Sequence, residues 1–267
     1  MDIAYIGYSD VLLNHLLQSQ DFNLIKVVYV EDRVSKKYKN LLEKNNLQNL
    51  KITSKDDICK INKFFENIEI ILMYKFEYIL PQRLINMYRI FNFHGGCLRT
   101  NRGAHAVVRS ILNGDKETML SLYELTGGID IGLLIGEYCV PISKDETVNT
   151  LNAKLQEGIL PLLSLLKKYL DGEIEAVLVK QGIYYPKVMR EDYTLDIKND
   201  SFEKMDAILR SQVDYNGAIC CVDGCEVWVK RWKIEEHERY FKRNIYCEKD
   251  KIIIEDFGKK MTMYIEE

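Results

Sequence analysis

Residues 90 to 132 carry the strongest fold signal in the chain. They begin Ile90-Phe-Asn-Phe-His94-Gly-Gly-Cys-Leu-Arg-Thr-Asn-Arg102-Gly-Ala-His105 and end Thr126-Gly-Gly-Ile-Asp130-Ile-Gly132. A β-type segment carries Asn92 and His94 two residues apart, so both side chains project from one face of a strand. A helix is expected to start near Gly103, and a second strand ends in the glycine-rich turn that carries Asp130. An amide, an imidazole and a carboxylate near two strand ends are the groups that acyl transfer needs, and they predict a catalytic pocket.

The glycines in this sequence favour a ligand over a purely structural role. Gly95 and Gly96 follow His94, while Gly127 and Gly128 precede Asp130. Because glycine has no side chain, a ligand can approach the backbone closely at such positions. The alternative is a hydrogen-bonded structural histidine, which is the commoner role for a histidine at a strand end.

Upstream of this region, short apolar segments alternate with helical ones. The expected strands lie at residues 2–7, 24–30, 50–53 and 69–73. One helix is expected to start after Ser9, and two further helices are expected at residues 35–45 and 54–66. This order predicts an α/β protein with a parallel, doubly wound (Rossmann-like) sheet, in which ligands bind beyond the carboxyl ends of the strands. The first turn, Gly7-Tyr8-Ser9, has one glycine where a dinucleotide-binding turn needs three, so a nicotinamide or flavin cofactor is not expected.

Downstream, the character of the chain changes near residue 173. From Asp145 to Leu170 the leucine spacing predicts one long helix with a kink at Pro161. Beyond about residue 175 the sequence predicts short strands around one further helix, which is expected to open at Asp200. We therefore divide the chain into a catalytic core at residues 1–173 and a small antiparallel β-rich domain at residues 174–267. The apolar face of the second domain suits a homodimer.

Composition narrows the class of partner and the compartment. With a net charge of -3 over 267 residues, the chain shows no signal for nucleic acid or for an anionic membrane. No apolar run approaches the roughly 20 residues that span a bilayer, and the first residues lack the pattern of a signal peptide. Seven scattered cysteines suit reduced thiols and a cytoplasmic protein. Cys220, Cys221 and Cys225 lack the paired spacing of a zinc site, so no metal is expected.

Several separated motifs together resemble the N10-formyltetrahydrofolate-dependent formyltransferases. The motifs are Asn92-x-His94, Arg102-Gly103, Ile111-Leu-Asn-Gly114-Asp-Lys-Glu-Thr118 and Gly128-Ile-Asp130-x-Gly132. The resemblance is strong over residues 70–172, lies at the level of the fold before that, and is weak after about residue 175. It implies a formyltransferase core that uses N10-formyltetrahydrofolate as co-substrate and needs no metal.

The resemblance also implies a role for each catalytic candidate. Asn92 would hydrogen-bond the oxyanion of the transferred formyl group. His94 would act as general base and then as general acid, with Asp130 orienting it. The pterin would lie between a loop and a glycine-rich turn, held largely by backbone groups. The residues implied in this cofactor site are Phe76, Tyr78, Ile79, Leu80, Thr126, Gly127 and Gly128.

Within the family, the chain most resembles the nucleotide-sugar N-formyltransferases, which add a small C-terminal domain to the core. The negative net charge argues against a tRNA acceptor. The expected acceptor is a nucleotide-linked amino sugar, such as a UDP-linked 4-amino sugar of the pseudaminic-acid type, with a role in cell-surface glycan biosynthesis. Two alternatives stay open: methionyl-tRNA or another amine acceptor, and a folate or nucleotide-binding module without turnover.

The residues expected to bind the acceptor are Arg99, Arg102, His105, Tyr185 and Lys187. Either arginine would pair with the diphosphate, and residues 184–187 resemble the segment that passes near the sugar-nucleotide site in that group. Each of these residues can instead be a solvated charge or a packing side chain, and His105 can lie on a helix surface. Residues 98–102 depart from the family pattern, so we expect them to determine the acceptor.

Overall fold

The computed structural model describes residues 1–222, 224–236 and 242–266. They form two compact units, each built on its own sheet. The first unit contains Met1–Ala106, Thr118–Val140 and Ala153–Tyr185. The second contains Val107–Glu117, Pro141–Asn152 and Pro186–Glu267.

The larger sheet has eight strands. They are β1 (Asp2–Gly7), β2 (Asn23–Val30), β3 (Gln48–Ile52), β4 (Ile70–Tyr74), β5 (Arg89–His94), β6 (Glu117–Leu125), β7 (Gly132–Pro141) and β8 (Val177–Val179). Their order is β3-β2-β1-β4-β5-β6-β7-β8. The first five strands are mutually parallel, and β6 runs antiparallel to β5. The predicted doubly wound α/β fold is confirmed.

Helices connect the strands of this sheet or follow them. They are α1 (Asp10–Gln18), α2 (Lys36–Lys44), α3 (Ile61–Phe64), α4 (Gln82–Met87), α5 (Ala106–Leu112), α6 (Val148–Glu157) and α7 (Ile159–Leu170). Serine caps start two of them: the Ser9 hydroxyl accepts from Leu12 N in α1, and the Ser35 hydroxyl accepts from Tyr38 N in α2. The apolar sequence of β1 fits its place in the middle of the sheet, where Ile3 to Ile6 are fully buried.

The sheet reverses its winding between β1 and β4, so the carboxyl ends of these two strands meet at the switch point. Gly7 ends β1 with a φ of +145°, and a Cβ on it would lie 1.8 Å from the Tyr74 carbonyl oxygen. Two buried tyrosines hold the turn that follows: Tyr38 Oη donates to Gly7 O at 2.8 Å, and Ser9 N donates to Tyr5 Oη at 2.9 Å. The turn at the switch point is therefore fixed by the protein itself.

Three helix predictions need correction. The single helix expected from Asp145 to Leu170 is two helices that meet at Gly158, where a Cβ would lie 2.5 Å from the Tyr138 ring. Pro161 falls in the first turn of α7, where its missing N–H breaks no helical hydrogen bond, so it causes no kink. The helix expected near Gly103 begins at Ala106, and the one at 54–66 is a 3₁₀ turn (Lys55–Lys60) followed by α3.

The second unit is β-rich, as predicted. Its sheet contains β9 (Thr194–Leu195), β10 (Ala218–Val222), β11 (Cys225–Glu236), β12 (Asn244–Cys247), β13 (Lys251–Asp256) and β14 (Lys259–Glu266), in the order β12-β13-β14-β11-β10-β9. Neighbours are antiparallel except β9 and β10. Helix α8 (Phe202–Gln212) is capped by Ser201, one residue after the predicted Asp200. The domain boundary after residue 173 stays a prediction, while residues 174–185 contribute β8 to the sheet of the first unit.

Two kinds of feature are absent from the described residues. Among them, no helix has the length and apolar character needed to cross a bilayer. The same residues contain no group of three or more histidine, cysteine or acidic side chains arranged to hold a metal ion.

Replacement of Gly7 tests whether the switch point depends on close contact between β1 and β4. We expect Gly7→Ala to lower the free energy of unfolding by more than about 3 kcal/mol, because the methyl group would overlap the Tyr74 carbonyl at an unfavourable φ. Gly172→Ala is the matched control, since Gly172 also has a positive φ but no atom near its Cβ position. Urea unfolding of both variants makes the comparison, and equal losses would contradict the role given to the contact.

Candidate active site

Strand β5 places the two central candidates. Asn92 and His94 lie on the same face at its carboxyl end, and each is 8% exposed. On the antiparallel side, Tyr123 of β6 lies opposite Asn92, and Ser121 lies opposite His94. The register of β5 and β6 therefore brings a tyrosine next to the predicted oxyanion donor.

The tautomer of His94 follows from its hydrogen bond. His94 Nε2 lies 2.8 Å from the main-chain oxygen of Asn101. Because a carbonyl oxygen can only accept, Nε2 carries the proton and Nδ1 is the basic nitrogen of the neutral ring. Nδ1 faces Asp130, with 3.7 Å between it and Oδ1. This distance is too long for a hydrogen bond but short enough for the carboxylate to stabilise an imidazolium cation.

Asp130 lies in a turn in which several residues have a positive φ angle. Gly127, Gly128 and Asp130 have φ angles of 135°, 78° and 50°. Both carboxylate oxygens are engaged: Oδ2 accepts from Gly103 N at 2.6 Å, and Oδ1 accepts from Tyr123 Oη at 2.8 Å. The carboxylate is thus held in position on the Nδ1 side of His94.

Tyr123 joins Asn92 to Asp130. Asn92 Nδ2 donates a hydrogen bond to Tyr123 Oη at 2.9 Å, and the tyrosine hydroxyl in turn donates to Asp130 Oδ1. Burial, with the negative charge of Asp130 as a second cause, raises the pKa of Tyr123 well above its ordinary value, so the phenol stays neutral and can donate. No pattern in the sequence identifies this residue, because its place opposite Asn92 depends on strand register.

Gly96 has a different use from the predicted one. A Cβ on Gly96 would lie 2.5 Å from Asn101 O and 2.8 Å from His94 Nε2. The space beside His94 is therefore filled by the hydrogen bond that sets the tautomer. The prediction that Gly96 leaves room for a ligand is wrong.

Arg102 is 3% exposed and acts as a clamp on main-chain carbonyls. Its Nε donates to Leu98 O at 2.5 Å, and its Nη2 donates to Val179 O at 2.9 Å and to Gln181 O at 3.0 Å. The guanidinium thus holds the loop after His94 against residues 179–181. These contacts favour a structural role over the predicted pairing with a diphosphate.

The other acceptor candidates occupy varied settings, and their roles stay predictions. Arg99 is exposed and forms an ion pair with Glu137 at 3.1 Å. His105 is exposed, with a φ of 64°, in the turn before α5. Tyr185 is half-buried, and its N–H donates to Arg102 O at 2.9 Å. Lys187 is exposed and belongs to the second unit.

The two segments expected to hold the pterin are neighbours in the first unit. Phe76, Tyr78 and Leu125 pack against the same apolar cluster as buried Leu80. The Gln82 amide, just after this loop, lies 3.2 Å from the Cβ position of Gly127. Two isoleucines are exposed here, Ile79 by 71% in the loop and Ile129 by 41% in the turn that contains Thr126 and Gly128. Accessible apolar side chains beside backbone polar groups fit a flat ring system with polar edges.

A further cation lies at the switch point. Lys75 follows β4 with a φ of 54°, and its Nζ lies 5.5 Å from the centroid of the Tyr74 ring. Burial lowers the pKa of Lys75, while the charge of Asp10 opposes this shift. Asp10 forms its ion pair with Lys37 instead, at 2.9 Å. Lys75 itself forms no ion pair with any carboxylate in the described part of the chain.

Comparison with known proteins adds the family. Residues 30–160 match the formyl transferase family profile. The chain carries a formyl transferase domain. A methionyl-tRNA formyltransferase from Buchnera aphidicola is 29% identical over 213 residues, which cover 74% of this chain and 67% of that protein.

Solved structures extend the likeness beyond the matched residues to the whole chain. The sugar 3N-formyl transferase WlaRD, solved with dTDP and 5-N-formyl-THF, has a TM-score of 0.71 at 16% identity and covers 99% of this chain and 97% of its own. The N-formyltransferase from Helicobacter canadensis, solved with folinic acid and dTDP-3-aminofucose, has a TM-score of 0.69 at 14% identity and covers 99% of both chains. At these identities the likeness shows the fold.

The comparisons confirm the class predicted from the sequence. The matched family profile and these structural neighbours indicate an N10-formyltetrahydrofolate-dependent N-formyltransferase, with N10-formyltetrahydrofolate as co-substrate. The relatives by sequence act on methionyl-tRNA, whereas these structural neighbours are sugar N-formyltransferases.

The two possible roles of Arg102 predict different phenotypes. We expect Arg102→Met to lower the free energy of unfolding by about 2 kcal/mol or more, because the buried carbonyls of Leu98 and Val179 lose their donor. Arg99→Met is the control and should change stability by less than about 0.5 kcal/mol, since its ion pair is exposed. Chemical unfolding distinguishes the roles. Unchanged stability of Arg102→Met together with weaker acceptor binding would favour the diphosphate contact.

Proposed function

We propose that this formyltransferase formylates the amine of a nucleotide-linked amino sugar, with Asn92, His94 and Asp130 at the reacting atoms. The observation that carries the chemistry is the fixed tautomer of His94. Its Nε2 proton is held by Asn101 O, and its basic Nδ1 faces Asp130. A neutral imidazole whose lone pair lies beside a carboxylate is suited to take a proton from an attacking amine.

The proton has a complete route. The amine nitrogen attacks the formyl carbon that the folate supplies, and the bond between that carbon and N10 breaks. The amine proton moves to His94 Nδ1, and His94 then returns it to N10. While His94 is protonated, Asp130 stabilises the cation at close range.

Asn92 is placed to serve the formyl oxygen. Its Nδ2 carries two hydrogens, and one of them is used in the bond to Tyr123. The second can be donated to the formyl oxygen as negative charge develops there. Such a preorganised donor typically lowers the activation free energy by about 3 kcal/mol.

Two observations support a nucleotide-linked acceptor. Lys75 provides a half-buried cation at the switch point, where doubly wound sheets bind ligands, and the half-buried aromatic Phe76 follows it in the chain. A cation and an aromatic ring are suited to a diphosphate and a base. Two structural neighbours that cover 99% of this chain, WlaRD and the Helicobacter canadensis enzyme, were solved with dTDP or dTDP-3-aminofucose. The test must therefore include UDP-linked 4-amino sugars and dTDP-linked 3-amino sugars.

Methionyl-tRNA is the second candidate acceptor, and the identity of 29% to a methionyl-tRNA formyltransferase favours it. A net charge of -3 argues against it, because tRNA binding relies on neutralising phosphates. This candidate predicts binding to initiator methionyl-tRNA that weakens steeply as salt is raised.

Release of tetrahydrofolate tests the function. We expect turnover with N10-formyltetrahydrofolate and at least one nucleotide-linked amino sugar, and none with the matching sugars that lack the amine. His94→Ala should lower kcat by a factor of about 10² or more, because the general base is lost. His15→Ala, on α1, is the control. The proposal would be contradicted if methionyl-tRNA were formylated and no amino sugar were, or if His94→Ala kept full activity.

Lys75 provides a test of the acceptor site. We expect Lys75→Met to raise the KM for the acceptor about tenfold or more, while the KM for N10-formyltetrahydrofolate changes little. Lys75→Arg should retain most of the affinity, and Lys51→Met, on β3, serves as a control.

The lowered pKa of Lys75 gives this test a pH dependence. The ammonium is charged below that pKa and neutral above it. The KM of the native enzyme should therefore rise as pH increases through the lowered pKa, and Lys75→Arg should not show this rise. An acceptor KM that is the same in Lys75→Met and the native enzyme at every pH would exclude Lys75 from the site.

A further inference from the structure

The hydroxyl of Tyr123 has one proton, and its two partners determine where that proton points. Asp130 Oδ1 can only accept when ionised, and Asn92 Nδ2 can only donate. The bonds of 2.8 Å to Asp130 and 2.9 Å from Asn92 therefore run in one direction, from the amide to the phenol to the carboxylate.

This direction matters because an asparagine amide can adopt a flipped orientation, in which its oxygen and nitrogen exchange places. With Nδ2 and Oδ1 exchanged, Asn92 would present an acceptor to Tyr123, and the phenol would have to give up its bond to Asp130 to donate. The half-buried carboxylate would then lose a donor, which is costly where water is largely excluded. Asp130 and Tyr123 together select one of the two amide orientations.

The phenol ring is fixed by packing, so the hydroxyl has little freedom of its own. Tyr123 is 1% exposed and lies in an apolar cluster with Leu98, Leu134 and Val179. A phenylalanine has the same ring and fills the same space. The hydroxyl can thus be removed without opening a large cavity.

We propose that Tyr123 is a positioning residue for formyl transfer. Its hydroxyl donates to the ionised Asp130, accepts from Asn92, and so holds the Asn92 amide with an N–H available to the formyl oxygen. Tyr123 touches neither substrate in this assignment and acts through Asn92. The inference rests on the proposed function of Asn92 at the same site.

Steady-state kinetics of Tyr123→Phe are the first test. We expect kcat to fall about tenfold to a hundredfold, somewhat less than the loss of the donor itself, with both KM values within about twofold of the native enzyme. Tyr169→Phe is the matched control, because Tyr169 donates to Glu124 at 2.9 Å elsewhere in the first unit. It should keep kcat within about twofold. A native kcat in Tyr123→Phe would overturn the proposal.

A double-mutant cycle shows whether Tyr123 acts through Asn92. In the Asn92→Ala background, Tyr123→Phe should lower kcat by less than about threefold, because there is no amide left to orient. If the two losses multiply instead, Tyr123 acts independently of Asn92 and the assignment is wrong.

An NMR measurement makes the outcome independent of the acceptor. In the native protein the two side-chain N–H resonances of Asn92 should be distinct, and both Tyr123→Phe and Asp130→Asn should shift them, while Tyr169→Phe should not. If the native enzyme formylates none of the amines tested, the proposed function fails and these resonances alone decide the role of Tyr123. The proposed role of Tyr123 would be overturned if the Asn92 resonances stayed in place in both variants. If Tyr123→Phe does not fold, unchanged resonances in Asp130→Asn would overturn it.

Discussion

The hydrogen bond from His94 Nε2 to the main-chain oxygen of Asn101 is the interaction on which the site depends. It decides which nitrogen of the imidazole is basic, and it needs two supports. Gly96 leaves room for the bond, and Arg102 holds the loop that carries the carbonyl oxygen. The chemistry attributed to one histidine is therefore distributed over a glycine, an arginine and a main-chain carbonyl, none of which need contact a substrate.

The sheet brings the remaining parts to the same end. Parallel pairing of β1, β4 and β5 places Gly7, Lys75 and His94 at neighbouring carboxyl ends, while antiparallel β6 returns Tyr123 to the side of Asn92. A mixed sheet thus provides two kinds of access to the site. Loops after the parallel strands are free to bind ligands, and the antiparallel strand supplies buried side chains that fix geometry.

Local patterns in the sequence were sufficient for the general fold and for the catalytic candidates. Spacing by two residues places Asn92 and His94 on one face, and alternating apolar segments predict the sheet. Tyr123, Asn101 and Lys75 could not be found in this way, because their roles depend on register, on a main-chain atom and on burial. Local rules also misplaced the helix break at Pro161, since the contact between Gly158 and Tyr138 is between residues distant in sequence.

The clamp made by Arg102 has a consequence for the order in which the protein acquires its structure. The carbonyl groups of Val179 and Gln181 are 77 and 79 residues further along the chain than the guanidinium that binds them. During synthesis on the ribosome, β5 and its two candidate catalytic side chains emerge well before these partners. The loop after His94 can reach its final geometry only when the segment beyond β8 is available, so competence for catalysis comes late in the folding of the first unit.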